Sequence, residues 1–301
     1  MNKKLVLKKL NRDKHQYIML IPAFVVTLIF AYIPMGGLVM AFQDFDIFKG
    51  FLGSEWVGFD NFIQIFTQRK FLSAIGNTLL ISFLSLLICF PAPIIMALLI
   101  NELERERFKK TTQTISYLPH FMSWISVVGL VHVLLSKDGI INDLCVALGA
   151  SERVTFLAEQ ELFLPILVIS ELWKETGWGT VIHLANLASI NPELYEAATV
   201  DGASRWQKIR YITLPHMLPT VIILLIFKMG TLFASNFELI YGLQNPFIDF
   251  EVISTIIYQT GIQSGNYSMS TALGFAQGLI ALLLVLLSNW LSKKFTGSSI
   301  F

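Results

Sequence analysis

Glu171, Trp173, Lys174, Glu175 and Trp178 fall within nine residues, "ELWKETGWG", inside an otherwise apolar run. On a helix Glu171 and Glu175 share a face at i,i+4, and Lys174 follows Glu171 at i,i+3. Charged groups held this way have two ordinary uses. They neutralise one another as an internal ion-pair set, or they offer hydrogen-bonding groups to a ligand. With His183 further along the same run, acid–base chemistry by Glu171, Glu175 and His183 is a third use. Ionisable side chains in an apolar helix are costly, which makes them functional candidates.

A second charged stretch, "YEAATVDGASRWQKIRYITLP", runs from Tyr195 to Pro215 between two long apolar runs. Asn191-Pro192-Glu193 ahead of it reads as a helix start. Asn caps orphan amides, Pro fits the first turn, and Glu complements the positive end of the helix dipole. Residues 193–201 are expected to form a short helix that Gly202 ends, because glycine takes positive φ without a Cβ clash. Ser204 with Gln207 makes a capping box for a second short helix, Arg205 to Ile212. Pro215 marks the break before the next apolar run, or its first turn. Such a pair of helices either lies in the interface and snorkels its basic residues to lipid headgroups, or is a docking knob for a cytoplasmic protein. In the second case Ala197, Ala198 and Ala203 keep it thin enough to enter a groove, and Glu196 offers a carboxylate.

The elements that carry these residues follow from composition. The chain has 301 residues, of which 54% are hydrophobic and 14% charged, and its mean hydropathy is +0.63. A soluble domain is nearer a quarter charged. The expected class is therefore an all-α polytopic membrane protein. A hydrocarbon core of about 30 Å needs roughly 20 apolar helical residues. Six segments meet that length: 17–42, 74–100 (bent by Pro91 and Pro93), 115–135, 162–187, 217–237 and 271–291. A break at Gly177 and Gly179 would bring the charged part of the fourth toward the outer surface.

Lys and Arg set the orientation. Fifteen of them lie in the two tails and the 101–114 and 188–215 loops, against five in the alternate loops. Both termini, and the Tyr195–Pro215 segment, are thus expected in the cytoplasm. The organisation is a cytoplasmic tail (1–16), a first span with an extracellular loop (17–70), a five-helix body (71–291) carrying the charged loop (191–215), and a second cytoplasmic tail (292–301). The first apolar run is longer than a signal peptide's core and reads as an uncleaved span.

Other chemistries find little footing. The net charge is +1 and no basic aromatic groove marks nucleic-acid binding. Cys89 and Cys145 form no ligand or disulfide framework. His120, His132 and His183 have no carboxylate or cysteine at metal-ligand spacing, and read as packed or pore-lining. Asn77 reads as a helix–helix hydrogen-bonding residue. No Walker-type phosphate loop is present, so no nucleotide site is expected on this chain.

The charged loop resembles the EAA loop of permease subunits of ATP-binding-cassette importers. That pattern is Glu-Ala-Ala, three residues, Gly, then nine residues to Ile-x-Leu-Pro, matched by Glu196, Ala197, Ala198, Gly202, Ile212, Leu214 and Pro215. The resemblance covers roughly residues 71–291. "SINPELYEAA" and "SNFELIYGLQNP" are similar to the carbohydrate-uptake, maltose-permease-like branch, and within it to the permeases often labelled LplB-like, assigned to oligo- or polysaccharides. The resemblance implies the type I importer permease fold with six spans, both termini inside, in a bacterial plasma membrane. It implies a homologous second permease, two ATPases that hold ATP and Mg, and an extracellular solute-binding protein. It implies no enzyme activity and no cofactor on this chain. The loop's short helix would sit in a cleft of the ATPase, Glu196 would pair with a basic residue there, Gly202 would allow the elbow, and Pro215 would anchor the fifth span.

A sugar site needs aromatic platforms with amide or carboxylate partners. The branch has an aromatic sugar contact eighteen residues before its motif glutamate, which is Trp178 here. Asn236 matches a sugar-binding asparagine, and Phe233 replaces a second one. Glu171, Trp173, Glu175, Glu238 and Tyr241 complete the candidate set. A phosphate ligand would call for arginines in the cavity, and the spans carry only Lys174 and Lys228. That favours a neutral or mildly charged sugar, with an acidic one accommodated through Lys174. Importers of other solutes, an intramembrane enzyme and a passive channel are the alternatives.

Overall fold

The structure is a computed structural model and describes residues 12–296. Residues 1–11 and 297–301, most of the first expected tail and half of the second, lie outside it. Helix dominates. The β structure among the described residues is one antiparallel pair, Gln43–Asp44 with Glu55–Trp56, in which Gln43 faces Trp56. We number the helices α1 (Lys14–Phe42), α2 (Asp60–Thr67), α3 (Arg69–Asn101), α4 (Glu106–Tyr117), α5 (Trp124–Leu135), α6 (Ile140–Ala147), α7 (Gln160–Ala188), α8 (Pro192–Val200), α9 (Arg205–Thr231), α10 (Phe237–Leu243), α11 (Ile253–Tyr258) and α12 (Tyr267–Thr296).

Five stretches are long and apolar enough to cross a membrane: α1, α3, Trp124–Ala147, α9 and α12. The expected fourth span is α7, a helix of 29 residues. At about 1.5 Å per residue it reaches some 44 Å, more than the roughly 30 Å of a hydrocarbon core. Its Glu171, Lys174 and Glu175 keep it less apolar than the other five.

Prolines shape three of these helices without ending them. A π turn precedes each by two residues: Leu28–Tyr32 before Pro34, Ser85–Cys89 before Pro91, and Ile209–Thr213 before Pro215. A proline removes a donor and crowds the turn before it. The wider turn absorbs that strain with a five-residue hydrogen bond, such as Phe90 N donating to Ser85 O at 2.9 Å. Pro215 therefore makes no break and instead sits in the first turn of the apolar run, into which the second short helix of the loop continues as the start of α9.

Two expected spans have different limits. The stretch 115–135 is not one helix. Pro119 sits in a 3-10 turn, Leu118–Phe121, and Met122 and Ser123 are extended before Ser123 caps α5. The stretch 217–237 ends early, at Thr231, and Phe237 belongs to α10. The anticipated break at Gly177 and Gly179 does not occur. Both glycines stay helical and serve as close-approach points, Gly177 against the Ser116 backbone and Gly179 against Pro93. α12 also extends through the residues expected to begin the second tail.

Three buried clusters hold the bundle. One joins Ile81, Val128, Phe163, Leu167, Leu239 and Ile240 from α3, α5, α7 and α10. A second joins Ala41, Ile65, Phe71, Ile256 and Met269 from the end of α1 with α2, α3, α11 and α12. A third, Ala97, Leu187, Ile190 and Met217, lies under the charged loop. Between helices in lipid, such clusters stabilise by close packing rather than by leaving water. Asn77 donates to the Glu251 carbonyl at 2.9 Å, tying α3 to the chain before α11 rather than to a helix. α1 is the exception to this packing. Lys14–Tyr32 bury no side chain, and only the last turns of α1 meet the body.

Candidate functional site: a polar cavity and a projecting loop

α3, α5, α7, α9 and α10 enclose a cavity of about 630 Å³, within the range of roughly 300–1,000 Å³ that small-ligand sites occupy. Its wall is apolar with a few polar groups. Glu171 and Glu175, expected from their helical spacing, and Trp178 and Asn236, expected from the resemblance, all line it.

The carboxylates are held differently. Glu171 Oε1 accepts from Ser85 Oγ at 2.9 Å and from Lys228 Nζ at 3.4 Å. Glu175 is 2.9 Å from His120 Nδ1 through Oε2 and accepts from Lys174 Nζ through Oε1 at 3.2 Å. Lys174 also donates to the His120 carbonyl at 2.9 Å and lies 4.8 Å from the centre of the Trp124 ring. Its side chain is 5% exposed. Both sequence options thus coexist: Lys174 is an internal counter-charge, and the two glutamates face the cavity.

Trp178 is a built platform. The His120 imidazole stacks on it with centroids 4.7 Å apart and planes 3° from parallel, and Phe121 meets it edge-on at 5.7 Å. His120 is pinned in turn by Glu175. The imidazole covers one face of the indole, and the indole remains 43% exposed. His183 also lines the cavity and is buried, and its Nδ1 has no hydrogen-bond partner among the described residues. A buried polar atom of that kind is rare enough to need a reason, and a hydroxyl-bearing ligand supplies one.

Three expected residues are elsewhere. Trp173 is two positions from both Glu171 and Glu175, which turns it to the opposite side of α7. Glu238 is exposed in the first turn of α10, where it complements the helix dipole. Tyr241 stacks on Phe237 and meets Tyr258 edge-on, and its hydroxyl accepts from Gln263 Nε2 at 3.0 Å. None of the three lines the cavity. Asn236 has a second task, since its side chain caps α10 by accepting from Leu239 N at 3.1 Å. Phe233 is buried. Ser85 and Trp124 were not anticipated at this site. Lys228, a lone cation in an apolar run, carried a readable signal, and His120, read as packed or pore-lining, packs on Trp178.

The charged loop is mounted stiffly below. Asn191 caps α8 by accepting from Glu193 N at 3.1 Å, and Gly202 turns the chain at φ +75. The Ser204–Gln207 capping box is present in both directions. Lys208 Nζ donates to Thr199 Oγ1 at 2.7 Å, clamping α9 to α8. Tyr195 and Ile212 pack on the third cluster, and the Tyr195 hydroxyl is 2.9 Å from Thr213 Oγ1. The Arg205–Glu104 pair at 3.3 Å is exposed on both sides and contributes little. Leu194, Glu196, Val200, Trp206 and Tyr211 project outward, and Glu196 has no ion-pair partner among the described residues.

The same pattern of helices and loop recurs in known proteins. The sequence profile of a family described as "Binding-protein-dependent transport system inner membrane component" matches residues 89–296. The polygalacturonan/rhamnogalacturonan transport system permease protein YteP of Bacillus subtilis is 43% identical, over 99% of this chain and 94% of its own. Protein LplB of the same organism is 41% identical, over 97% and 92%. A chain of a bacterial alginate ABC transporter, solved in complex with an alginate pentasaccharide-bound periplasmic protein, superposes with TM-score 0.90 at 42% identity, over 97% of this chain and 99% of that one.

Proposed function

The chain belongs to the inner-membrane components of binding-protein-dependent transport systems, and from that premise we propose that it is one half of the pathway of an ATP-driven carbohydrate importer. The other parts are a homologous permease, two ATPase subunits holding ATP and Mg, and an extracellular binding protein that delivers an oligosaccharide. Both termini and the charged loop face the cytoplasm of a bacterial cell, and α7 crosses the membrane with the five more apolar stretches.

One observation carries this reading: two of the five helices that wall the cavity, α7 and α9, are the helices that flank and hold the projecting loop. α7 bears Glu171, Glu175 and Trp178 and runs through Ile190 into α8. α9 bears Lys228 and starts from the capping box of the loop. An ATPase that moves Glu196, Ala197 and Ala198 therefore moves the cavity walls, with Gly202 fixing the elbow and Ala203, Ile212, Leu214 and Pro215 completing the stem. A lever of this kind needs rigidity, and the clamps around Tyr195 and Lys208 provide it. Trp178 offers its indole to the C–H face of a sugar ring, while Glu171, Asn236 and His183 meet hydroxyls. No arginine lines the cavity among the described residues, which favours a sugar over a phosphate ester.

The assembled transporter in proteoliposomes should take up an oligosaccharide only with ATP and binding protein. Uptake that runs without ATP, or substrate turnover by the purified chain alone, would sink the proposal in favour of a channel or an enzyme. Trp178→Ala should raise the half-saturating sugar concentration by about twofold to tenfold, since an aromatic contact is worth about 0.5–1.5 kcal/mol. An unchanged saturation curve would remove Trp178 from the pathway.

A further inference from the structure

We propose that Lys228 receives a carboxylate of the transported sugar, so that this cavity selects acidic units over neutral ones. The inference rests on the carbohydrate reading above and adds a charge and a residue to it.

Lys174 and Lys228 lie on α7 and α9, two of the helices that wall the cavity, and their surroundings differ. Lys174 is closed off. Its ammonium donates to the His120 carbonyl and to Glu175, and the Trp124 ring covers it. It does not line the cavity. Lys228 does, as the one lysine or arginine among the described lining residues, and its side chain is 30% exposed.

An ammonium has three donors. Lys228 uses one, on Glu171 Oε1 at 3.4 Å. That is long for a charge-assisted bond, which ordinarily spans about 2.7–2.9 Å. Glu171 is also bound by the Ser85 hydroxyl at 2.9 Å. The pair is therefore unequal. When Lys228 turns away, Glu171 keeps a donor; when Glu171 is lost, Lys228 keeps no acceptor among the described residues.

A ligand carboxylate that reaches the ammonium can form a short charge-assisted bond while Glu171 remains on Ser85. A neutral sugar fills the same donors with hydroxyls, in bonds about half as strong. The four other polar groups named on the wall (Glu171, Glu175, Asn236 and His183) bring no fixed positive charge, so the distinction between acid and neutral units falls on Lys228.

The test uses the assembled transporter in nanodiscs, trapped with vanadate, and two radiolabelled probes: trigalacturonate and its full methyl ester, which keeps the sugar and removes the charge. Wild type should hold the acid about tenfold tighter than the ester, the size of one charge-assisted bond against a neutral one. K228Q should bring the two affinities together. K228R should keep most of the preference, which guards against a mere packing defect. E171Q should strengthen acid binding, because the competing carboxylate is gone. A K228Q transporter that still prefers the acid as wild type does would overturn the proposal. So would a wild type that imports neutral oligosaccharides but binds acid and ester alike, and that result leaves the carbohydrate reading standing. A wild type that binds neither probe overturns this proposal too, and the carbohydrate reading, which names no particular sugar, is then decided by its own uptake test.

Discussion

Glu196→Lys should leave the chain in the membrane at normal abundance and remove ATP-driven uptake. Glu196 is exposed on α8 and makes no ion pair among the described residues, so its replacement breaks no ion pair there. Its cost falls on the partner surface. Breaking a desolvated interfacial charge pair costs about 2–5 kcal/mol, which is a loss of roughly thirtyfold to a few thousandfold in affinity. Co-purification of the ATPase subunits with the permease measures the loss directly, and uptake in proteoliposomes measures its consequence. Gly202→Val tests the same lever through its shape. No atom lies within 4 Å of an added Cβ there, so space is not the obstacle. A β-branched residue at φ +75 is a backbone outlier, and the elbow should open. Normal ATPase retention and normal uptake by both variants would refute the coupling role.

The second large effect belongs to the bundle itself. Gly177→Val should prevent assembly of the folded chain. A Cβ at this position overlaps the carbonyl carbon and oxygen of Ser116, at the end of α4. Backbone cannot swing aside as a side chain does, so α4 and α7 must separate. The cost exceeds the about 1–3 kcal/mol of ordinary overpacking, and separation also strains the Lys174–His120 contact one turn away. Gly129→Ala is the matched control, since no atom lies within 4 Å of its Cβ position. The yield of monodisperse complex after solubilisation should collapse for the first variant and hold for the second. Equal yields would show that the α4–α7 approach is slack.

Much of this was readable from residue order. Apolar runs gave most of the spanning helices because lipid demands long apolar helices wherever a chain crosses it. The loop was readable in finer detail: the Asn191 cap, the Gly202 turn and the Ser204–Gln207 box are local chemistry, settled within a few residues. Glu171 and Glu175 were readable because charged groups in apolar runs are conspicuous, and Trp178 and Asn236 because they match positions of the branch the chain resembles. What escaped notice depends on distance in space. Hydropathy cannot show that Pro119 divides the third apolar run, since its flanks are equally oily. The π turn hid the continuity of α9, because Pro215 reads either as a break or as the first turn of a new helix. Trp173 and Tyr241 have the right chemistry, but the rotation of α7 and the aromatic contacts of α10 take them out of the cavity. His120 lies 55 positions from Glu175, and no local pattern connects them.

α1 presents apolar side chains in every direction along Lys14–Tyr32, with nothing among the described residues to shield them. For that limb, acyl tails, detergent and a neighbouring subunit are competing solvents, and this polypeptide alone is an unfinished object. Extraction conditions that spare the body can still strip whatever rests against the limb, so a preparation's homogeneity will be governed first by its least supported helix.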